Sequence, residues 1–252
     1  MGQMLIILPL GILPIVFFVG WILLSKGSDL SEKHINHKIR KGKTEYPLEA
    51  SMFWIQGQTD AIGFTEDGSK ITFTVTPFTG DQHYFKSKEG VKQWITFWAE
   101  NFEQHKGSDE PKVSKWADHL IVVNSRPTQD GKSHQITLTI DDELANNEEY
   151  ISSQVQQLGR THWQNTEGNS SRYLTPYSPP SQKDNYLYRE QGRLKVFISR
   201  HQCVPNAIGS PKHIRMSKDQ IIRNLQNRLW NRYKVRCISI DDNDFYGELV
   251  RG

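Results

Sequence analysis

The sequence predicts an α+β fold in which a ferredoxin-like sheet domain follows a single N-terminal transmembrane helix. Three observations support this prediction: a long uncharged apolar run at residues 4–24, several short β-branched runs bounded by turn residues, and amphipathic segments with helical spacing. In chain order the central elements are strand, helix, strand, strand, helix and strand, as in a β-α-β-β-α-β sheet with helices on one face. A further helix and strand extend the domain at its C-terminal end. No internal repeat is visible in the sequence.

The apolar run from Met4 to Leu24 contains no charged side chain. At ~1.5 Å per helical residue it can cross a hydrocarbon layer of ~30 Å, which predicts an uncleaved single-pass anchor. Six basic residues follow between 26 and 43 and favour a cytoplasmic body, although the polar composition downstream would also suit an exported domain. Residues 25–45 are predicted to form a basic juxtamembrane stalk. Residues 46–252 then form one α+β domain with a flexible loop at 160–186.

The first half of this domain contains a predicted hairpin and a predicted helix. Turn residues Glu66–Ser69 separate strands at 61–65 and 71–76. Apolar side chains then recur on one helical face, with Ser87 as the N-cap: Val91, Trp94, Ile95, Trp98 and Phe102. We interpret this aromatic stripe as core, with a partner-binding groove as the alternative.

The remaining elements follow the same signals. Strands at 119–124 and 134–140 flank a polar loop, and Asp141 or Asp142 caps a helix that ends near Gly159. A strand at 194–199 precedes a helix that begins with the S-x-x-Q capping box of Ser217 and Gln220. A closing strand at 235–240 is predicted, and the acidic residues after it are interpreted as a tail.

Two sequence patterns that could hold a ligand fail on their spacing. Gly131–Ser133 matches the end of a phosphate-binding G-x-x-x-x-G-K-S loop, but Arg126 occupies the position of the first glycine and the setting is a hairpin. The acidic residues after Ile240 lack the fifth oxygen ligand and the glycine of an EF-hand, because Phe245 and Tyr246 stand there. His34 and His37 of the stalk are spaced for one helical face and could bind a metal, but two imidazoles in a solvated stalk usually bind none. The other histidines have no established metal-ligand spacing, so no metal or cofactor is predicted.

A catalytic site is predicted only as an alternative. His201 and Cys203 are two residues apart beside a strand, so an imidazole could activate the thiol. No orienting third group is evident, and we therefore assign no catalytic residue. Cys203 and Cys237 are the two cysteines of the chain. They are either separate core residues or, in an extracytoplasmic body, one disulfide bridge.

Charge is unevenly distributed along the domain. Residues 45–188 contain 12 basic and 20 acidic residues, whereas residues 189–236 contain 12 basic and 2 acidic residues. The predicted binding residues belong to this basic segment: Arg223, Arg228, Trp230 and Arg232. Their charge suits an acidic protein partner or an anionic lipid surface, and the acidic part of the same chain could also neutralise it. Nucleic acid is disfavoured, because helix exteriors are often rich in arginine without a ligand.

The expected function is therefore that of a membrane-anchored protein-interaction or assembly module. Such a module could be an accessory subunit of an envelope complex or an inhibitor-type binding partner. The alternatives are a membrane-tethered enzyme that uses Cys203 with His201, and a basic nucleic-acid-binding module.

Overall fold

The computed structural model describes residues 45–50, 59–103, 114–159, 161–164, 174–177, 183–204 and 212–252. This part of the chain contains two antiparallel four-stranded sheets together with helices, so the predicted α+β class is confirmed. The single ferredoxin-like sheet does not form. The predicted anchor at 4–24 and the stalk before Glu45 lie outside the described residues. No helix within them is long and apolar enough to cross a membrane.

The first unit is a hairpin, a helical segment and a second hairpin. Its sheet has the strand order β1-β2-β4-β3, and helix α1 packs on β3. Its elements are β1 (Thr59–Phe64), β2 (Ile71–Val75), a 3-10 helix (Gln82–Lys86), α1 (Lys88–Glu103), α2 (Ser114–Ala117), β3 (Leu120–Pro127) and β4 (His134–Ile140).

Two helices and a small ribbon join this unit to the second one. These are α3 (Asp142–Asn146), α4 (Glu148–Gln156), β5 (Thr161–Gln164) and β6 (Leu174–Tyr177). The second unit comprises β7 (Tyr186–Glu190), β8 (Arg193–Ser199), the ribbon strands β9 (His201–Val204) and β10 (Lys212–Arg215), α5 (Lys218–Arg228), β11 (Tyr233–Ile240) and β12 (Asp244–Arg251). Its sheet has the order β7-β8-β12-β11.

The two units therefore share one topology, although no repeat is visible in the sequence. Each consists of a hairpin, a helix and a hairpin, and in each the second strand pairs with the last. Each unit's helix contacts the strand that follows it, α1 with β3 and α5 with β11. The topology requires only that every second residue of a strand is apolar and faces the helices. It can therefore occur twice in a chain that has no sequence repeat.

Both hairpin turns of the first unit have the sequence T-x-D-G. Asp67 Oδ1 accepts hydrogen bonds from Thr65 Oγ1 at 2.6 Å and from the Ser69 amide at 3.1 Å. Asp130 Oδ1 likewise accepts from Thr128 Oγ1 and from the Lys132 amide, the latter at 3.0 Å. These bonds hold the pKa of both carboxyl groups below the usual range. Gly131, with a φ of +66°, completes a turn and not a phosphate-binding loop.

The aromatic stripe of α1 lies in the first core, as predicted. Val91, Trp94 and Ile95 are at most 2% exposed, and Trp98 is partly buried against the same cluster. Ser87 Oγ accepts a hydrogen bond from the Gly90 amide at 3.0 Å, which confirms the N-cap. The side chain of Phe102 lies outside those that the structure describes.

Several later predictions need correction. The predicted helix from Asp141 is broken into α3 and α4 because the side chain of Asn147 accepts from the Tyr150 amide and starts a new helix. The predicted acidic tail is instead a turn followed by β12, a central strand of the second sheet. Part of the predicted loop at 160–186 pairs as β5 and β6. The capping box of Ser217 and Gln220 is present as predicted.

Candidate functional site

Two of the four predicted binding residues are buried. The Arg228 side chain is 4% exposed, and its Nε donates to Glu45 Oε2 at 2.5 Å. Trp230 is 1% exposed in the first core, where its Nε1 donates to Tyr150 Oη at 2.8 Å. Neither side chain lies at the surface, where a partner could contact it. Arg228 lies seven residues after buried Ile221, on the inward face of α5.

The other two residues remain nearer the surface. Arg232 donates from Nη2 to the Ile140 carbonyl oxygen at 2.9 Å, and its Nη1 lies 3.7 Å from Asp142 Oδ1. Arg223 is exposed, and no ion pair is found for it among the described side chains.

The chain itself neutralises much of the basic segment. Besides the pairs of Arg228 and Arg232, the described side chains form four ion pairs between this segment and carboxylates: Arg189–Glu148, Arg193–Glu248, Lys195–Glu190 and Arg215–Asp242. Glu45, Asp142 and Glu148 come from the acidic part of the chain. The acidic part of the chain itself therefore pairs with several side chains of the basic segment.

A buried polar network lies where the two units meet. Glu49 is 1% exposed and accepts from Tyr150 Oη at 3.2 Å and from Gln154 Nε2 at 3.3 Å. Burial, and after it the charge of Glu49, raises the pKa of the Tyr150 hydroxyl well above its usual value. These groups hydrogen-bond each other and Trp230 in the interior, so we interpret the network as a structural one that joins the units.

Of the alternative catalytic pair, the structure describes the side chain of His201 alone. His201 is exposed, and its Nε2 lies 3.3 Å from Asn243 Oδ1. Cys203 is the cross-strand partner of His213 in the β9–β10 ribbon, and its side chain lies outside the described ones. Cys237 is a free, partly buried thiol. Among the residues that the structure describes, no group of three or more potential metal ligands comes together.

The surface that stands out is the outer face of the second sheet. Helices α4 and α5 pack on the inner face of this sheet, against Val196, Ile198 and Phe245. Strand alternation turns the neighbouring residues outward. We call this surface the tyrosine face and define it by Tyr186, Tyr188, Lys195, Phe197, Arg236, Tyr246 and Glu248.

The tyrosine face consists of two cross-strand rows. In the first, Phe197 pairs with Tyr186 on one side and Tyr246 on the other, with ring centroids 4.9 and 5.2 Å apart. Tyr186 stacks on Phe197 at an interplanar angle of 16° and is itself 45% exposed, whereas Phe197 is 3% exposed. The outer ring of the stack therefore faces solvent, and the inner one supports it.

The second row is charged. It runs from Tyr188 through Lys195 and Glu248 to Arg236. Desolvation, the largest cause, raises the pKa of the Tyr188 hydroxyl, while a hydrogen bond to Glu190 raises that of Lys195. Arg236 and Lys234, both on β11, are exposed cations for which the described residues supply no ion pair. The face therefore combines a solvent-facing aromatic ring with a positively charged edge.

The equivalent surface of the first sheet is different. Its matching row, on β2, β4 and β3, is Thr72, Thr137 and Asn124. Thr72 and Thr137 hydrogen-bond each other through their hydroxyl oxygens at 3.0 Å. Because two units of one topology carry such different outer faces, the fold does not require the aromatic row.

No family model, curated protein or solved structure matches this chain. Its candidate site therefore has to be judged on geometry and chemistry.

The tyrosine face was not predicted from the sequence, although its strands carry a signal. Tyr186 and Tyr188 alternate with Leu187, and Lys195 and Phe197 alternate with Val196. Period-2 patterns of this kind indicate strands that have one outward face. That these strands are neighbours is set by pairing over long separations, which the local pattern does not reveal.

Proposed function

We propose that this chain is a single-pass membrane-anchored protein-interaction module that binds an acidic partner protein through its tyrosine face. The observation that carries the proposal is the solvent-facing stack of Tyr186 on Phe197, which lies across the same sheet face from the exposed cations of β11. The uncharged run at 4–24 supports the anchor.

Tyrosine is suited to this role. It offers a large, rigid contact area and a hydroxyl group at little cost in conformational entropy, and interface hot spots are rich in it. Tyr186 is already oriented by its contacts with Phe197 and Tyr188, the latter at a centroid distance of 5.6 Å. A partner that covers its exposed side therefore orders few additional side chains.

Charge on the face favours an acidic protein over nucleic acid. The Glu190 and Glu248 carboxylates pair with Lys195 and Arg193, so the middle of the sheet lacks the continuous positive charge that a phosphate backbone requires. Lys234 and Arg236 lie together at the β11 edge, where carboxylates of a partner can reach them. Phe197 is also too deeply buried to stack with a base.

A photo-crosslinking residue placed at position 186 tests this assignment in cells. We expect a crosslinked protein from position 186 and none from position 97, because Phe97 is equally exposed, at 45%, but lies on α1 of the other unit. Against the identified partner, Tyr186→Ala and Arg236→Glu should each weaken binding at least tenfold, a change of about 1.4 kcal/mol. Only the Arg236→Glu effect should shrink at high salt.

Equal crosslinking from both positions, or unchanged affinity of both variants, would contradict the proposal. Tight binding of single-stranded nucleic acid that Tyr186→Ala abolishes would favour the nucleic-acid alternative instead.

The anchor is tested separately by membrane extraction. The intact chain should stay in the membrane pellet through high-salt and carbonate washes, because the run from Met4 to Leu24 can span the hydrocarbon layer. A chain that lacks residues 1–24 should be released. Release of the intact chain by salt alone would show that it is only peripherally bound.

A further inference from the structure

A second candidate site lies in the first unit and shares no residue with the tyrosine face. It is a cavity of about 380 Å³ between the 3-10 helix and the β3–β4 turn. We call it the basic pocket, and its walls are Pro77, Gln82, His83, Phe85, Lys86, Gly131, Lys132 and His134. No acidic residue is among them. The volume is within the range of small-molecule sites.

Both lysines of the basic pocket are exposed cations. For Lys86 and Lys132, no ion pair occurs with any side chain that the structure describes. The carboxylate nearest to Lys132 in sequence, Asp130, accepts hydrogen bonds from the Lys132 and Ser133 amides of its own turn. Asp130 offsets part of the Lys132 charge, but it is not a wall of the pocket. The walls therefore present net positive charge.

Two imidazoles also line the pocket. Nδ1 of His83 lies 2.7 Å from the Gly80 carbonyl oxygen, which can only accept, so Nδ1 carries a hydrogen. Nδ1 of His134 is buried, and no hydrogen-bond partner is found for it within the described structure. The Phe85 ring lies against His134 with centroids 4.8 Å apart and fixes its position.

The geometry points to a binding site for the phosphate monoester group of a small ligand. A dianionic group with three terminal oxygens matches the two lysine ammonium groups better than a singly charged carboxylate with two oxygens. Pro77 and Phe85 provide apolar contact for the organic part of the ligand. Binding would use side chains and not turn amides, because Asp130 already occupies the amides of Lys132 and Ser133.

Isothermal titration calorimetry tests the site: the full chain in neutral detergent is titrated with phenyl phosphate. We expect saturable binding that the double variant Lys86→Gln/Lys132→Gln weakens at least tenfold. Lys70→Gln is the matched control, because Lys70 belongs to the equivalent T-x-D-G hairpin and lies outside the pocket. Its affinity for phenyl phosphate should equal that of the unmodified chain. Absence of saturable binding, or an equal loss in the control, would overturn the proposal.

The phosphate group could belong to a soluble metabolite or to a lipid headgroup, since the two share one chemistry. Titration in nanodiscs with and without phosphatidic acid distinguishes them. A lower apparent affinity for phenyl phosphate in the phosphatidic acid discs would support the site and assign it to the headgroup. An affinity equal to that in detergent would support a soluble ligand.

Discussion

Replacing Trp230 with alanine is expected to lower the free energy of unfolding by about 3 to 5 kcal/mol. Trp230 follows α5 of the second unit, yet its side chain is 1% exposed within the core of the first. Its φ of +54° is strained for a bulky residue, so the surrounding packing must outweigh that strain. Alanine keeps the strained backbone, leaves a cavity and removes the bond to Tyr150 Oη. Chemical denaturation of the full chain in detergent measures the loss.

Phe97→Ala is the matched control, because this aromatic side chain is 45% exposed. It should change the free energy of unfolding by less than about 1 kcal/mol. If Trp230→Ala were as mild as this control, Trp230 would not be part of the core.

Arg228→Ala is expected to cost a similar amount, about 3 to 5 kcal/mol, for an electrostatic reason. It leaves the Glu45 carboxylate, 13% exposed, without the guanidinium that is 2.5 Å away. The Gly159 amide, which donates to Glu45 Oε1 at 3.0 Å, cannot replace that charge. Denaturation of the variant at neutral pH measures the effect.

A second variant separates the lost charge from the lost packing. Arg228→Met with Glu45→Gln removes both charges, keeps most of the volume, and should recover most of the loss. Arg223→Ala, an exposed position on the same helix, should be nearly neutral. A double variant as unstable as Arg228→Ala would show that the cost does not come from an uncompensated charge.

Local signals in the sequence predicted the elements that depend on neighbouring residues. The S-x-x-Q box at Ser217, the turn at Asp67 and the stripe from Val91 to Trp98 all form as expected, because caps, turns and helix faces involve residues a few positions apart.

Contacts between distant parts of the chain could not be predicted in the same way. Arg228 has the composition of an exposed helix residue, and only Glu45, 183 positions away, makes it an interior one. The acidic residues after Ile240 suggest a tail, but Asp241 Oδ1 accepts from the Asn243 and Asp244 amides and turns the chain back into β12. The burial of Arg228 and the formation of β12 both depend on contacts between residues far apart in the chain, and amino-acid composition does not reveal such contacts.

Two adjacent residues of helix α4 pack in different cores: Tyr150 lies in the core of the first unit and Ile151 in that of the second. Trp230 makes the reverse connection, from the second unit into the first core. Neither unit can therefore lose its packing while the other keeps all of its own, so the pair should melt in one cooperative transition. A chain divided between the units would leave each fragment with an incomplete interior, even though each retains a four-stranded sheet.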